Sequence, residues 1–272
     1  MARAGRHELK YVVDEARAVA IRDFLRGYLR PSIYNRAGPQ AGEPVISLYL
    51  DSPDLTLYRQ SAGGLKNRVK LRIRFYDDDW EHPAYLEVKR RVNDLILKER
   101  AMVSRESVLR MLAGGPRVLS GAVPNPGYWP ERSDLLNGKT QGAAQQFFAS
   151  LCGAFGARGM VYVSYMREAW ESDRVGFVRV TFDRHIRGTV YDGTGRLAIP
   201  ARGIRPEWLH FPRDGVVLEL KFTDGSPGWL SRLVQAFGLE RRSVSKYCAC
   251  LEAVGLHRGP CPVGRPAEEV LH

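Results

Sequence analysis

NRVKLRIRFY, residues 67–76, decides the fold. Read as a β-strand, it sets Arg68, Lys70, Arg72 and Arg74 on one face and Val69, Leu71, Ile73 and Phe75 on the other. Same-face neighbours along a strand lie about 7 Å apart. At an effective dielectric near 20, each adjacent pair of cations then repels by about 2.4 kcal/mol. Three such pairs approach the roughly 5–15 kcal/mol that holds a whole domain together. The row is tolerable only if water or an anion neutralises it, and the opposite face must be buried. A polyanion is the partner this pattern asks for.

The rest of the chain agrees with that reading. It has 272 residues, 44% hydrophobic and 26% charged, with a formal net charge of +11. That excess points to nucleic acid, an anionic surface or phosphate-rich ligands. No stretch of 18 apolar residues spans a membrane, and MARAGRHELK lacks the apolar core of a signal peptide, so a cytoplasmic protein is expected. Cys152, Cys248, Cys250 and Cys261 do not have zinc spacing and read as reduced thiols; the six histidines form no HExxH-type cluster.

Alternation predicts further strands at 6–13, 45–51, 84–91, 95–103, 160–170, 177–183 and 216–222. Helices are expected from Asp14 as N-cap to about Leu29, at 105–112, 141–155 and 228–237, and near 246–254. Ser52-Pro53-Asp54 signals a turn, and a Gly/Pro-rich loop runs through about Pro130. No repeat or linker divides the chain, so one domain over 1–257 and a tail over 258–272 are expected.

The polar strand faces hold Arg6, Lys10, Arg68, Lys70, Arg72, Arg74, Lys89, Arg91, Lys98, Arg100, Arg167, Arg179 and Lys221. Against these thirteen cations stand only Glu8, Glu87, Asp183 and Glu219, a surplus of nine where the whole chain carries +11. The charge is therefore on strand faces, not in tails. A charged face is simply the wet one in many antiparallel sheets. Here the helices exist to cover the apolar faces, which favours an α+β fold: an antiparallel β-barrel with helices packed outside and a cation-lined interior. Fork-shaped arginines would match phosphate oxygens, and the few glutamates suit a hard divalent cation.

The ordered motifs RHELKY (6–11), SLYLDSPDLTLYR (47–59), VKLRIRFY (69–76), YLEVKRR (85–91), LKERA (97–101), VSYMREAW (163–170), VRVTFD (178–183), LELKF (218–222) and SVSKY (243–247) resemble the VTC domain. This is the polyphosphate polymerase module of the triphosphate tunnel metalloenzyme, or CYTH-like, superfamily. The resemblance implies an eight-stranded antiparallel tunnel that transfers the ATP γ-phosphate onto a growing polyphosphate chain with a divalent metal, Mn or Mg. By resemblance Lys10, Arg72, Arg74, Lys89, Lys98, Arg167 and Arg179 would bind phosphate. Lys246 would be a basic residue near the tunnel mouth and Tyr165 a wall hydroxyl. Arg68, Lys70, Arg91, Arg100 and Lys221 join them by their faces. Arg72, Arg74, Lys89, Lys98 and Glu219 would carry the chemistry, with Glu219 and Glu8 holding the metal.

Related tunnel hydrolases begin with Glu-x-Glu-x-Lys, whereas this strand has Arg6, Glu8 and Lys10, a departure that favours extending or binding a chain over two-metal hydrolysis. A non-catalytic polyphosphate or inositol-phosphate binding module and a triphosphate hydrolase remain as alternatives. Nucleic acid is disfavoured, because aromatic residues are not interleaved with the cations. The expected partners are ATP and polyphosphate, with a separate membrane protein needed if product is threaded across a membrane.

Overall fold

The computed structural model describes residues 6–35, 42–93, 95–114, 141–172, 178–194, 197, 209–210, 215–223 and 225–258. The expected loop through Pro130, Cys261 and the tail beyond 258 lie outside them. Ten strands form one sheet among these residues, and every pairing is antiparallel. They are β1 (Arg6–Val13), β2 (Arg30–Pro31), β3 (Glu43–Asp51), β4 (Arg68–Phe75), β5 (Ala84–Val92), β6 (Leu95–Val103), β7 (Arg158–Glu171), β8 (Val178–Val190), β9 (Leu209–His210) and β10 (Val216–Thr223). Six α-helices accompany them: α1 (Glu15–Leu25), α2 (Thr56–Ala62), α3 (Arg105–Gly114), α4 (Gln141–Phe155), α5 (Gly228–Ala236) and α6 (Lys246–Ala253).

The main path of the sheet runs β1-β10-β8-β7-β3-β4-β5-β6, with the two-residue strands β2 and β9 added to β7 and β8. The closed eight-stranded barrel expected from sequence is corrected to this open path: among the described residues no backbone hydrogen bond joins β1 to β6. The sheet nevertheless curls strongly. β1 and β5 are six strand spacings apart along the path, about 29 Å in a flat sheet, yet the Lys89 ammonium on β5 lies 2.9 Å from the Glu8 carboxylate on β1. Side chains close a gap that backbone pairing leaves open. The β1 edge is covered by the segment before α6, where the Arg242 amide donates to the Lys10 carbonyl at 2.9 Å.

The apolar strand faces are buried outward, as the alternation demands. Leu71, Ile73 and Phe75 pack with Leu86, Val88 and Ala101 beneath Val108 of α3 and Phe148 of α4. On the other half, Val180, Phe182, Leu218 and Leu220 lie beneath Ile21 and Leu25 of α1 and Leu230 and Leu233 of α5. Asp14 caps α1 by accepting from the Arg17 amide at 2.7 Å.

The expectation that every helix packs outside is also corrected. α6 lies on the charged face, where Tyr247, Cys250 and Leu251 pack against Val161, Val163, Tyr49 and Val217. At that end the inward residues are apolar, so they too must be covered. Gly188 permits the close approach, since a Cβ there would sit 2.7 Å from that of Cys250. Asp51 ties α6 to the sheet. Its fully buried carboxylate accepts from the amides of Ser52, Leu57 and Tyr58 and, at 2.6 Å, from the Tyr247 hydroxyl. It thereby starts α2, a short helix that the Ser52-Pro53-Asp54 turn signal does not announce.

Candidate functional site

Strand register decides which charges meet on the inner face. Arg72 of β4 and Arg100 of β6 both stand opposite Glu87 of β5. Glu87 is 1% exposed, and its carboxylate takes the Arg72 guanidinium at 2.6 Å and the Lys98 ammonium at 2.8 Å. Arg100 and Arg74 approach at 3.4 and 3.6 Å. Burial alone would raise the Glu87 carboxyl, but Arg72, Arg74 and Lys98 outweigh it and hold it far below the ordinary range. Arg72 also donates to the Tyr49 hydroxyl at 3.1 Å. Lys98 is pulled down to about 8, burial outweighing the pull of Glu87.

A second cluster lies where β1, β10, β8 and β7 meet α6. Arg167 grips Asp183 with two hydrogen bonds of 2.7 Å. Lys246, the first residue of α6, reaches both Asp183 and Glu219 at 2.7 Å. Glu219 also takes Lys221 at 2.6 Å, Arg167 at 3.5 Å and Lys10 at 3.6 Å. Burial opposes ionisation of Glu219, yet Lys221, Lys246, Lys10 and Arg167 together keep it well below the ordinary carboxylate range. Burial likewise works against the charge on Lys246, but Asp183 and Glu219 raise it well above the usual lysine value. The buried Tyr165 ring lies 5.2 Å from the Arg167 guanidinium carbon and 5.1 Å from the Lys246 ammonium, a cation–π floor for both.

Between the clusters three lysines stand abreast, Lys70 opposite Lys89 and Lys89 opposite Lys98. Like charges so placed are destabilising, and each finds a different outlet. Lys98 reaches diagonally to Glu87, and Lys89 crosses the gap to Glu8. Among the described residues Lys70 meets no carboxylate and donates to Ser245 Oγ at 2.8 Å. Burial, then the neighbouring Lys10, lowers Lys70 to about 7. Glu8 takes Lys10 at 3.2 Å as well; burial raises its carboxyl, but Lys89 and Lys10 bring it far below its ordinary value. Glu8, Lys10, Lys70, Lys89 and Ser245 line a cavity of about 340 Å³ that also receives Arg68, Arg91, Arg241 and Arg242.

Most of the residues expected from sequence therefore converge on one face: Lys10, Lys70, Arg72, Arg74, Lys89, Lys98, Arg167, Lys221 and Glu219. Arg100 joins them at Glu87, 3.4 Å away, while lying 3.7 Å over the Tyr85 ring, and Arg68 lines the cavity with a hydrogen bond to the Leu65 carbonyl. Arg179 reaches Glu171 at 3.7 Å instead of either cluster. Lys246, expected near a mouth, is buried between two carboxylates. Glu87 and Asp183, the hubs of their clusters, were not among the expected site residues. Their signal was their scarcity, as two of only four acids on the polar faces. Arg241 and Arg242 were missed because they lie on no strand.

Glu8 and Glu219 are ionised and share Lys10, so they offer hard oxygen donors close together. They fit the usual magnesium mode of one or two carboxylates completed by substrate phosphates and water. No cluster of three or more His, Cys, Asp or Glu residues able to hold a metal occurs among the described residues. No helix among them is long and apolar enough to cross a membrane.

The VTC domain model matches residues 5–254. No curated protein matches the chain. Solved structures with a similar course include one from Bacillus halodurans described as a "putative adenylate cyclase", at 14% identity and TM-score 0.44, covering 90% of this chain and 96% of that one. Another is the PH1819 protein from Pyrococcus horikoshii OT3, at 12% identity and TM-score 0.43, covering 91% and 98%.

Proposed function

The chain belongs to the VTC domain family, and from that premise we propose that it is a polyphosphate polymerase, passing the ATP γ-phosphoryl group to the end of a polyphosphate chain. On this reading the curled sheet is a tunnel and its inner face holds the phosphates. The observation that carries the reading is the state of the inner acids. Glu87 and Glu219 are each buried beneath four cations, and an excess of positive charge still remains on the face. Such a face is built to be neutralised by a flexible polyanion.

Phosphoryl transfer asks the protein for alignment and charge neutralisation more than for covalent chemistry. Arg72, Arg74 and Lys98 would hold one stretch of phosphates, and Arg167, Lys221 and Lys246 would flank the transferring group. Glu219 and Glu8 would hold a divalent cation, which supplies neutralisation of charge on the terminal phosphates when bound. The acceptor oxygen is already anionic, so no side chain need act as a base.

The test is incubation of the purified protein with ATP and manganese, reading polymer by gel. Arg72→Ala and Glu219→Ala should each abolish synthesis while the protein remains folded. Full synthesis by either variant overturns the assignment. The same cations would also serve a second reading, a module that binds polyphosphate without turnover. Tight binding with no polymer supports that reading. Phosphate release without polymer supports a hydrolase.

A further inference from the structure

We propose that Ser245 is itself a phosphoryl acceptor: with the Lys70 amine as its base, its hydroxyl takes the first γ-phosphoryl group from ATP, so that a chain can start on the protein without a soluble primer.

The inference rests on the polymerase reading and concerns how a chain begins. Extension of an existing chain needs no base, because the attacking oxygen is already anionic. A serine hydroxyl does need one, and Lys70 is placed to be it. In the structure the Lys70 ammonium donates to Ser245 Oγ at 2.8 Å. Once Lys70 loses its proton the same contact runs the other way, and the hydroxyl donates to the amine. A nucleophile held against a base at hydrogen-bond distance is the arrangement of an activated serine.

The surroundings of Ser245 suit that role. It is partly buried and lines the 340 Å³ cavity, so a phosphate can reach its Oγ. It caps α6, its Oγ accepting from the Cys248 amide at 3.3 Å, so an oxyanion forming there meets the positive end of the helix. The next residue is Lys246, whose ammonium lies on Glu219. The residue before is Val244, whose carbonyl takes Lys10 at 3.0 Å, and Lys10 pairs with both Glu8 and Glu219. Ser245 therefore stands beside the groups assigned to the transferring phosphate.

The chemistry balances without another reactant. Ser245 Oγ forms the new bond to the γ-phosphorus, and its proton passes to Lys70 Nζ. The bond from that phosphorus to the β–γ bridging oxygen breaks, and its electron pair leaves with ADP. An anionic oxygen of the phosphoserine then attacks the next γ-phosphorus, with no base required. Lys70 can act so near neutrality because of its company. It shares the cavity with Lys10 and Glu8 of β1, Lys89 of β5, Arg68 on its own strand and the Arg241–Arg242 pair, while Cys248 of α6 is a thiol that burial keeps protonated. Burial and these cations favour the free amine.

The experiment is incubation of the full chain with manganese and ATP radiolabelled at the γ-phosphate, without added phosphate, followed by a denaturing gel. The protein is expected to carry label that survives acid and is removed by alkali, as a phosphoserine is, and peptide mass spectrometry should place it at Ser245. Ser245→Asn keeps a residue that caps helices well and should carry no label, whereas Ser245→Thr should retain it. Lys70→Met should slow labelling by about a hundredfold or more. In the wild type the labelling rate should rise with pH through a midpoint at or above about 7. Lys70→Met should lose that rise, a signature that a lysine serving only to hold phosphate would not give. Primer-free synthesis by Ser245→Asn should fail or start after a long lag, and added pyrophosphate should rescue it. Polymer that forms with no label at Ser245, or label that persists in Ser245→Asn, overturns the serine and leaves the polymerase reading standing. Label at Ser245 that never grows into a chain overturns the polymerase reading and leaves the serine standing.

Discussion

Glu87→Gln isolates the electrostatics of the inner face, because it removes a charge and keeps the shape. The carboxylate is 1% exposed and serves Arg72 and Arg74, whose side chains are 20% and 6% exposed. Breaking a buried pair by removing one partner costs about 3–5 kcal/mol. Lys98 and Arg100 are 46% and 37% exposed and add little, since water takes over their neutralisation. An unfolding entropy of roughly 2.1 cal/mol/K per residue, taken over 272 residues, turns that loss into a drop in Tm of about 5–9 °C. Tripolyphosphate should narrow the gap between variant and wild type, because its oxygens replace the missing carboxylate. Its affinity for the variant should also rise. Scanning calorimetry at pH 7, with and without saturating tripolyphosphate, measures both effects. A variant melting within about 2 °C of wild type, or a gap that the anion leaves unchanged, refutes the proposal that Arg72, Arg74 and Lys98 around Glu87 hold a stretch of phosphates.

Other perturbations should behave as follows. Asp51→Ala strands three backbone amides and the Tyr247 hydroxyl, costing about 1–3 kcal/mol for each buried group left unpaired; denaturant titration should show a large loss of stability. Gly188→Ala drives a methyl into Cys250 and should destabilise by about 1–3 kcal/mol, with protection of α6 amides in hydrogen exchange falling first. The inner carboxyls of Glu8, Glu87, Asp183 and Glu219 lie below their unfolded values, so the stability they give is present above about pH 4 and lost as pH falls further. Lys70, near 7, and Lys98, near 8, lie below their unfolded values. The unfolded chain therefore binds more protons between about pH 7 and 10, and the empty protein gains stability as pH rises there. Tripolyphosphate affinity should move the opposite way, falling over the same range; parallel trends in melting and binding curves would contradict the assignment.

Strands were legible where apolar and polar residues alternate, less cleanly over 95–103 than elsewhere. The two-residue strands β2 and β9 and the second half of β8, beyond 183, were not. Arg6–Val13 and Leu95–Val103 are found where the alternation puts them, and the Gln141–Phe155 stripe is a helix. Asp14 announced α1, although that helix ends at Leu25 and a turn takes up residues 26–28. Register was not legible. Alternation tells which face a residue occupies, but not that Glu87 stands between Arg72 and Arg100, or that Lys70, Lys89 and Lys98 form a row. Those pairings depend on how strands slide past one another, which turns and long-range packing fix. The inward seat of α6 was hidden for a related reason. Its buried residues read as an ordinary helix stripe, and nothing local says which side of a sheet a helix will cover. The cations before it, Arg241 and Arg242, belong to no periodic element and so carried no pattern to read.

The pairing of β1 with β10 joins Arg6 to Thr223 and Lys10 to Glu219, residues about two hundred positions apart in the chain. Contacts that distant form late, because the loop they close is long and its entropy must be met before the pairing gives anything back. On the ribosome, β1 emerges with its cations about two hundred residues before the strand it pairs with. Glu219 is on that last strand, and Lys246 follows it. A nascent chain can thus gather the Glu87 cluster from β4, β5 and β6, but a chain ending before β10 would lack Glu219 and the strand against which β1 closes. The order of synthesis makes the Glu219 cluster, unlike the Glu87 cluster, wait for both ends of the fold.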